Sequence, residues 1–122
     1  MKKMLIVFLL LGYSSMAHAD NWVLIGVNDN GSVEIGDWWL TNDRANVPVV
    51  AARFRLSLSG SIFFEIDYVS IKDCEEGAGT LVVADLHGNA KKINEFVYNG
   101  GNFNSTMAET LCALAMKSGP KM

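Results

Sequence analysis

From Trp22 onward, apolar and polar residues alternate in short runs separated by Gly, Asn and Ser. This is the pattern of half-buried β-strands joined by hairpins. Residues 22–27 form a first apolar run. Asn28-Asp29-Asn30-Gly31 follows, and Asn-Gly favours a tight turn because both residues tolerate positive φ. Residues 32–35 would complete that hairpin, and residues 36–46 show no period and read as irregular. Residues 47–58 alternate clearly: Val50, Ala52, Phe54, Leu56 and Leu58 share one face, and Arg53, Arg55 and Ser57 share the other. Pro48 cannot donate to a ladder and marks the entry to this strand. Ser59-Gly60 turns the chain again. In residues 61–71, Ile62, Phe64, Ile66 and Tyr68 point one way and Glu65 and Asp67 the other. The carboxylates are expected on the solvated face. Residues 80–87 and 92–98 read as two more strands about a Gly88-Asn89 turn, with polar loops at 75–79 and 99–102.

Near the C-terminus the period changes. Met107, Leu111, Leu114 and Ala115 recur at helical spacing, and Cys112 lies beside this stripe. Thr106 and Glu109 have the spacing of a capping box, in which both side chains satisfy first-turn amides. Gly119 and Pro120 are stop signals. About six short strands in hairpins and one terminal helix predict an α+β fold with an antiparallel sheet.

The N-terminus does not belong to that pattern. Lys2 and Lys3 precede an apolar run at residues 4–11, and Ala17-His18-Ala19 has the small-x-small form of a cleavage site. The run is too short to span a bilayer, which needs about 20 residues. Residues 1–19 therefore read as a cleaved signal peptide, with cleavage before Asp20 and one domain at 20–122. Positions 12–20 hold no cysteine, so no lipid anchor is expected. The mature chain is expected in the periplasm or outside the cell, with no membrane span.

Export changes what the two cysteines mean. Cys74 and Cys112 are the full complement, and an oxidising compartment makes their pairing the default. Closing a loop of 38 residues would contribute about 4 kcal/mol in the chain-entropy model. Loss of Lys2 and Lys3 also takes the formal charge from −3 to −5. Lys91-Lys92 is then the only adjacent basic pair, which argues against nucleic acid and anionic membrane surfaces.

No residue set stands out as catalytic or metal-ligating, and no cofactor is expected. Asp85 and His87 share a strand face, but the serines lack a nucleophile elbow. Glu65 with Asp67, and Asp73 with Glu75 and Glu76, read as solvated carboxylates. Asn28-Asp29-Asn30-Gly31 lacks the ligand spacing of a calcium loop. Asn104-Ser105-Thr106 is a glycosylation sequon where a helix cap belongs. Trp38-Trp39 is the candidate binding feature: in a strand the two must face opposite ways, which leaves one available to a protein or a sugar.

The order of these features resembles the surface-adhesin protein E family of small exported bacterial proteins. The resemblance rests on Trp22 to Gly26 after the signal, the Asn-Gly turn, Ser70-Ile71-Lys72 leading into Asp73-Cys74, and a terminal helix carrying Cys112. It implies a six-stranded antiparallel sheet, a C-terminal helix tied by a disulfide, and a homodimer. It also implies non-enzymatic binding of a protein partner, such as a host matrix component. The rival expectations are a periplasmic inhibitor of a hydrolase such as lysozyme, and a small hydrolase using Asp85 and His87.

Overall fold

The computed structural model describes residues 21–118. The signal segment, its cleavage point and the Gly119-Pro120 stop lie outside the described residues. Strand β1 (Val23–Asn28) turns into β2 (Gly31–Asn42), where Asn28 Oδ1 accepts from the backbone N–H of Asn30 at 2.7 Å and of Gly31 at 3.2 Å. Strand β3 (Pro48–Leu58) turns into β4 (Ser61–Ser70) through Ser59 (φ 52°) and Gly60 (φ 86°). Positive φ at both positions matches the right-handed twist of the flanking strands. A short helix α1 (Ile71–Glu76), strands β5 (Ala78–Ala84) and β6 (Ala90–Val97), and helix α2 (Phe103–Ser118) complete the chain. All six strands pair antiparallel in the order β1-β2-β3-β4-β5-β6. The expected α+β architecture is therefore present.

Three local expectations fail, each for a physical reason. Residues 36–42 belong to β2 and not to a loop. The register shifts by one between Ile35 and Trp38, and this bulge breaks the alternation that would have revealed the strand. Residues 71–76 form α1, with Cys74 inside it, where the sequence pattern predicts a strand as far as residue 71 and a loop from residue 75. Ser70 Oγ accepts from Asp73 N at 3.0 Å at the start of α1, and Gly77 at φ 77° closes it. Helix α2 starts before Thr106: Asn102 Oδ1 accepts from Ser105 N at 2.9 Å and serves as the cap. Glu109 instead accepts from Asn99 N at 2.7 Å, tying the preceding loop to the helix.

Helix α2 supplies Met107, Ala108, Leu111, Cys112 and Ala115 to a core shared with Val33, Ile35, Val50, Ala52, Phe54 and Val69 on the sheet. The sheet must curl to make this core. Six strands laid flat would separate β1 from β6 by about 24 Å, far more than a single turn of helix, about 10 Å across, can bridge. Yet a methyl group on Gly26 of β1 would sit 3.6 Å from Phe103 Cε1, and Asn94 Nδ2 of β6 lies 3.4 Å from Asn104 Oδ1. The first turn of α2 thus reaches both edge strands, and the helix lies on the concave side. The Cys74–Cys112 disulfide joins α1 to the middle of α2 across this concavity. Tyr98 Oη donates to the Cys74 carbonyl at 3.3 Å beside it. No helix among the described residues is long and apolar enough to cross a membrane.

Glu65 and Asp67 were expected in solvent, and both lie instead on the concave face. Glu65 pairs with Phe54 and Asp67 with Ala52, both core residues. Asp67 is 0% exposed, and neither carboxyl oxygen has a hydrogen-bond partner. Burial pushes its pKa up to about 10; nearby Glu65 adds to the rise and Lys92 opposes it. The folded chain holds a proton that the unfolded chain releases near a pKa of about 3.9. The stability that a neutral Asp67 contributes is therefore fully present below that pKa and is lost as the pH climbs towards 10.

Two outcomes follow for equilibrium unfolding. Above about pH 5, where Glu34 and Asp85 are fully ionised, urea midpoints should fall as the pH rises, with a slope of at most about 1.4 kcal/mol per pH unit for one proton, and Asp67→Asn should remove most of that slope. An unchanged slope in the variant would assign the titration to another group. Separately, Cys112→Ala in α2 should lower stability by about 2–5 kcal/mol, measured by the same method under oxidising conditions.

Candidate binding face

The two-residue turn at Ser59-Gly60 sets Leu58 opposite Ser61, and the register follows from there. Ile62 lies opposite Ser57, Phe64 opposite Arg55, Ile66 opposite Arg53 and Tyr68 opposite Ala51. The apolar set of β4 therefore shares a face with the arginines of β3, and this face points away from α2. Ile62 remains 60% exposed and Phe64 50%. Leu24 and Val27 of β1 join them on this convex side, opposite Glu34 and Ser32 of β2.

Trp22, immediately before β1, lies across this face. Gly36 gives it room: a Cβ there would come within 2.9 Å of the Trp22 ring. The Arg55 guanidinium sits 4.9 Å from the ring centroid, and Phe64 packs at 5.9 Å with its plane tilted by 53°. A cation over an indole contributes about 0.5–1 kcal/mol at an exposed site. Arg55 Nε also donates to Glu34 Oε1 at 2.7 Å, which holds the Glu34 carboxyl below its ordinary range. Trp22, Phe64, Leu86, Arg53 and Asp37 line a cleft of about 320 Å³. Arg53 Nε stands 3.8 Å from Asp37 Oδ2, and these side chains are 47% and 51% exposed. A contact this long and open leaves both groups free to hydrogen-bond a ligand.

Of the two tryptophans singled out in the sequence, only one reaches this face. Trp38 pairs with Ala52 and packs against the core. Trp39 pairs with Ala51 on the convex side, in the same cross-strand row as Tyr68, and is half-buried. Tyr68 forms the floor of a second cleft of about 570 Å³, with Thr41, Asn42, Arg44, Val49 and Asn89 around it. Its walls are braced turns. Asp43 Oδ1 accepts from Ala45 N at 2.8 Å and Val47 N at 3.0 Å. Across the cleft, Asp85 Oδ1 accepts from Asn89 N at 3.0 Å and His87 N at 2.9 Å. Trp22 was not foreseen as a functional residue; counting the hairpin register through Ser59-Gly60 would have placed Phe64 and Arg55 together.

The acid/base candidates do not assemble. Asp85 spends its carboxylate on the turn, and these backbone donors, Asn89 first, lower its pKa. Its partner is the peptide N–H of His87, whose side chain is exposed. Asp73 accepts from Thr80 N at 3.1 Å and fills the space where Gly79 lacks a side chain, while Glu75 and Glu76 are exposed. Among the described residues, no group of three metal-ligating side chains could hold an ion.

No family model, curated protein or solved structure matches this chain.

The seat of Trp22 can be checked directly. Gly36→Ala should displace the indole from β2, red-shift the tryptophan emission relative to a Trp22→Phe control, and change stability by less than about 1 kcal/mol, because the ring moves outward and the core does not. An unchanged spectrum would mean that Trp22 does not rest on Gly36.

Proposed function

We propose that this chain is an exported, non-enzymatic binding protein, adhesin-E-like in architecture, that engages a protein partner such as a host matrix component through its convex sheet face. The observation that carries the reading is the inverted β4. A sheet with a helix on one side ordinarily presents a polar outer face. Here Phe64, Ile62 and Tyr68 lie on that side with Trp22 and Trp39, while the carboxylates lie beneath the helix. Exposed apolar surface of this kind has a function or it is an aggregation liability. Rigid aromatic side chains provide contact area at small entropic cost, and arginine among them is the usual company of interface hot spots. The Cys74–Cys112 bond supports export, because such bonds persist in oxidising compartments. The periplasm and the extracellular space both fit this reading.

The test is plate binding of the purified protein to immobilised extracellular-matrix proteins. Trp22→Ala combined with Phe64→Ala should weaken capture at least tenfold, equivalent to about 1.4 kcal/mol. Met116→Ala, at an exposed position of α2, should leave it unchanged. Equal loss from both variants, or capture indifferent to the convex-face pair, would overturn the reading.

A further inference from the structure

We infer that the convex face is a track for an extended neutral glycan and that its two clefts are sugar subsites on one chain. This inference rests on the convex face being the binding face. It adds the chemistry of the ligand, and four features of the surface support that chemistry.

The first feature is spacing. Phe64 and Tyr68 project from the same side of β4, four residues apart, which places them about 13 Å apart along the strand. Trp22 stands beside Phe64, and Trp39 flanks Tyr68 across the small Ala51. The first cleft therefore holds a pair of aromatic side chains, and the second holds Tyr68, with Trp39 two strands away across β3. A linear polymer can lie across both, whereas a single small molecule fills only one.

The second feature is how the polar groups are distributed. A docking patch for bare polypeptide gathers apolar residues at its centre and keeps polar groups at the rim, whereas the carbohydrate of a glycosylated partner protein calls for a mixed surface. Here the two kinds interleave. Arg53 and Asp37 sit inside the first cleft with Trp22 and Phe64, and Thr41, Asn42, Arg44 and Asn89 ring Tyr68 in the second. A pyranose has this same mixed character, with C–H groups on its faces and hydroxyls at its edge. Guanidinium groups can donate to those hydroxyls, carboxylates can accept from them, and side-chain amides can do both.

Charge is the third feature. Arg53 faces Asp37, Arg55 is bound to Glu34, and Lys91 stands 3.6 Å from Asp85. Among the described residues Arg44 is the one cation lining the clefts with no acid at ion-pair distance, so the surface has no basic stripe to attract sulfated or uronic polymers. The fourth feature is pre-organisation. Trp22 is held by Gly36, Arg55 and Phe64 before any ligand arrives, which reduces the ordering cost of a weak, repetitive ligand.

The test uses the purified, disulfide-bonded protein, with tryptophan fluorescence and calorimetry as readouts. The probes are chitohexaose and cellohexaose as neutral glycans, their disaccharides, and heparin as an anionic control. The hexasaccharide of at least one series should bind at least about tenfold more tightly than its disaccharide, because the longer chain spans both clefts. Trp22→Ala and Tyr68→Ala should each remove at least about tenfold of that affinity. Arg53→Gln, a change at a half-exposed side chain that leaves the core intact, should weaken binding several-fold with unaltered circular dichroism. Heparin should bind less tightly than the tighter-binding neutral hexasaccharide. Pelleting with isolated peptidoglycan, and capture on glycosylated against enzymatically deglycosylated matrix protein, separate an envelope source from a host source, and binding to either supports the inference. No binding of either hexasaccharide at millimolar concentration, equal affinity for disaccharide and hexasaccharide, or a preference for heparin would overturn it. If the glycans fail while Trp22→Ala and Phe64→Ala still abolish matrix-protein capture, the glycan assignment falls and the binding face stands. If matrix-protein capture ignores those residues as well, both fall.

Discussion

Ser59 and Gly60 both hold positive φ, and the two-residue turn they make sets Leu58 opposite Ser61. Side chains alternate strictly along a strand, so this one pairing assigns a face to every residue of β4. It joins Phe64 to Arg55 and Tyr68 to Ala51 on the convex side, and it sends Glu65 and Asp67 beneath the helix. A loop one residue longer could have reversed the assignment, burying the aromatic side chains and exposing the carboxylates. Both unusual features of the molecule, its apolar outer face and its buried acid, come from the same register.

The helix makes that register tolerable. Asp67 would be an ordinary surface acid on an open sheet. Under α2 it loses its water, finds no hydrogen-bond partner and keeps its proton. Cys112 is itself a fully buried member of the core, between Leu111 and the inward-facing Ala115, and its bond to α1 anchors the middle of the helix. Burial of Met107 and Leu111, closure of the curved sheet and retention of a neutral Asp67 are thus parts of one packing arrangement. Two of its elements, the sulfur bond and the proton, respond to redox conditions and to pH.

Much of this fold can be read from the residues, and the parts that cannot have definite causes. Period two in residues 47–58 and 61–70, period 3.6 after residue 106, and the Asn-Gly and Ser-Gly turns are enough for an antiparallel meander with a terminal helix. The stretch from Gly36 to Asn42 escapes because a bulge adds one residue and scrambles the alternation there. Helix α1 escapes because six residues are too few to show a helical period. The error at Glu65 and Asp67 is of another kind. Hydrophobicity assigned the inner face of β4, when the length of the preceding turn was the stronger constraint. The same oversight hid the candidate site. Trp38 and Trp39 stand out in the sequence as neighbours, but the bulge sends Trp38 to the core. Trp22 attracts no notice until the strands are aligned beside it.

Those alignments also explain why the convex face can remain apolar without collapsing. Its large side chains do not form one continuous greasy patch. Ser32, Ser57, Glu34 and Arg55 run across the centre of β2 and β3, and separate Leu24 and Val27 on one flank from Ile62 and Phe64 on the other. Nonspecific association needs broad contiguous apolar area, which these polar rows interrupt. A ligand that alternates apolar and hydrogen-bonding groups over the same distance loses nothing to the interruption. On the proposed reading, the polar rows that interrupt the apolar surface are also the pattern that a ligand would match.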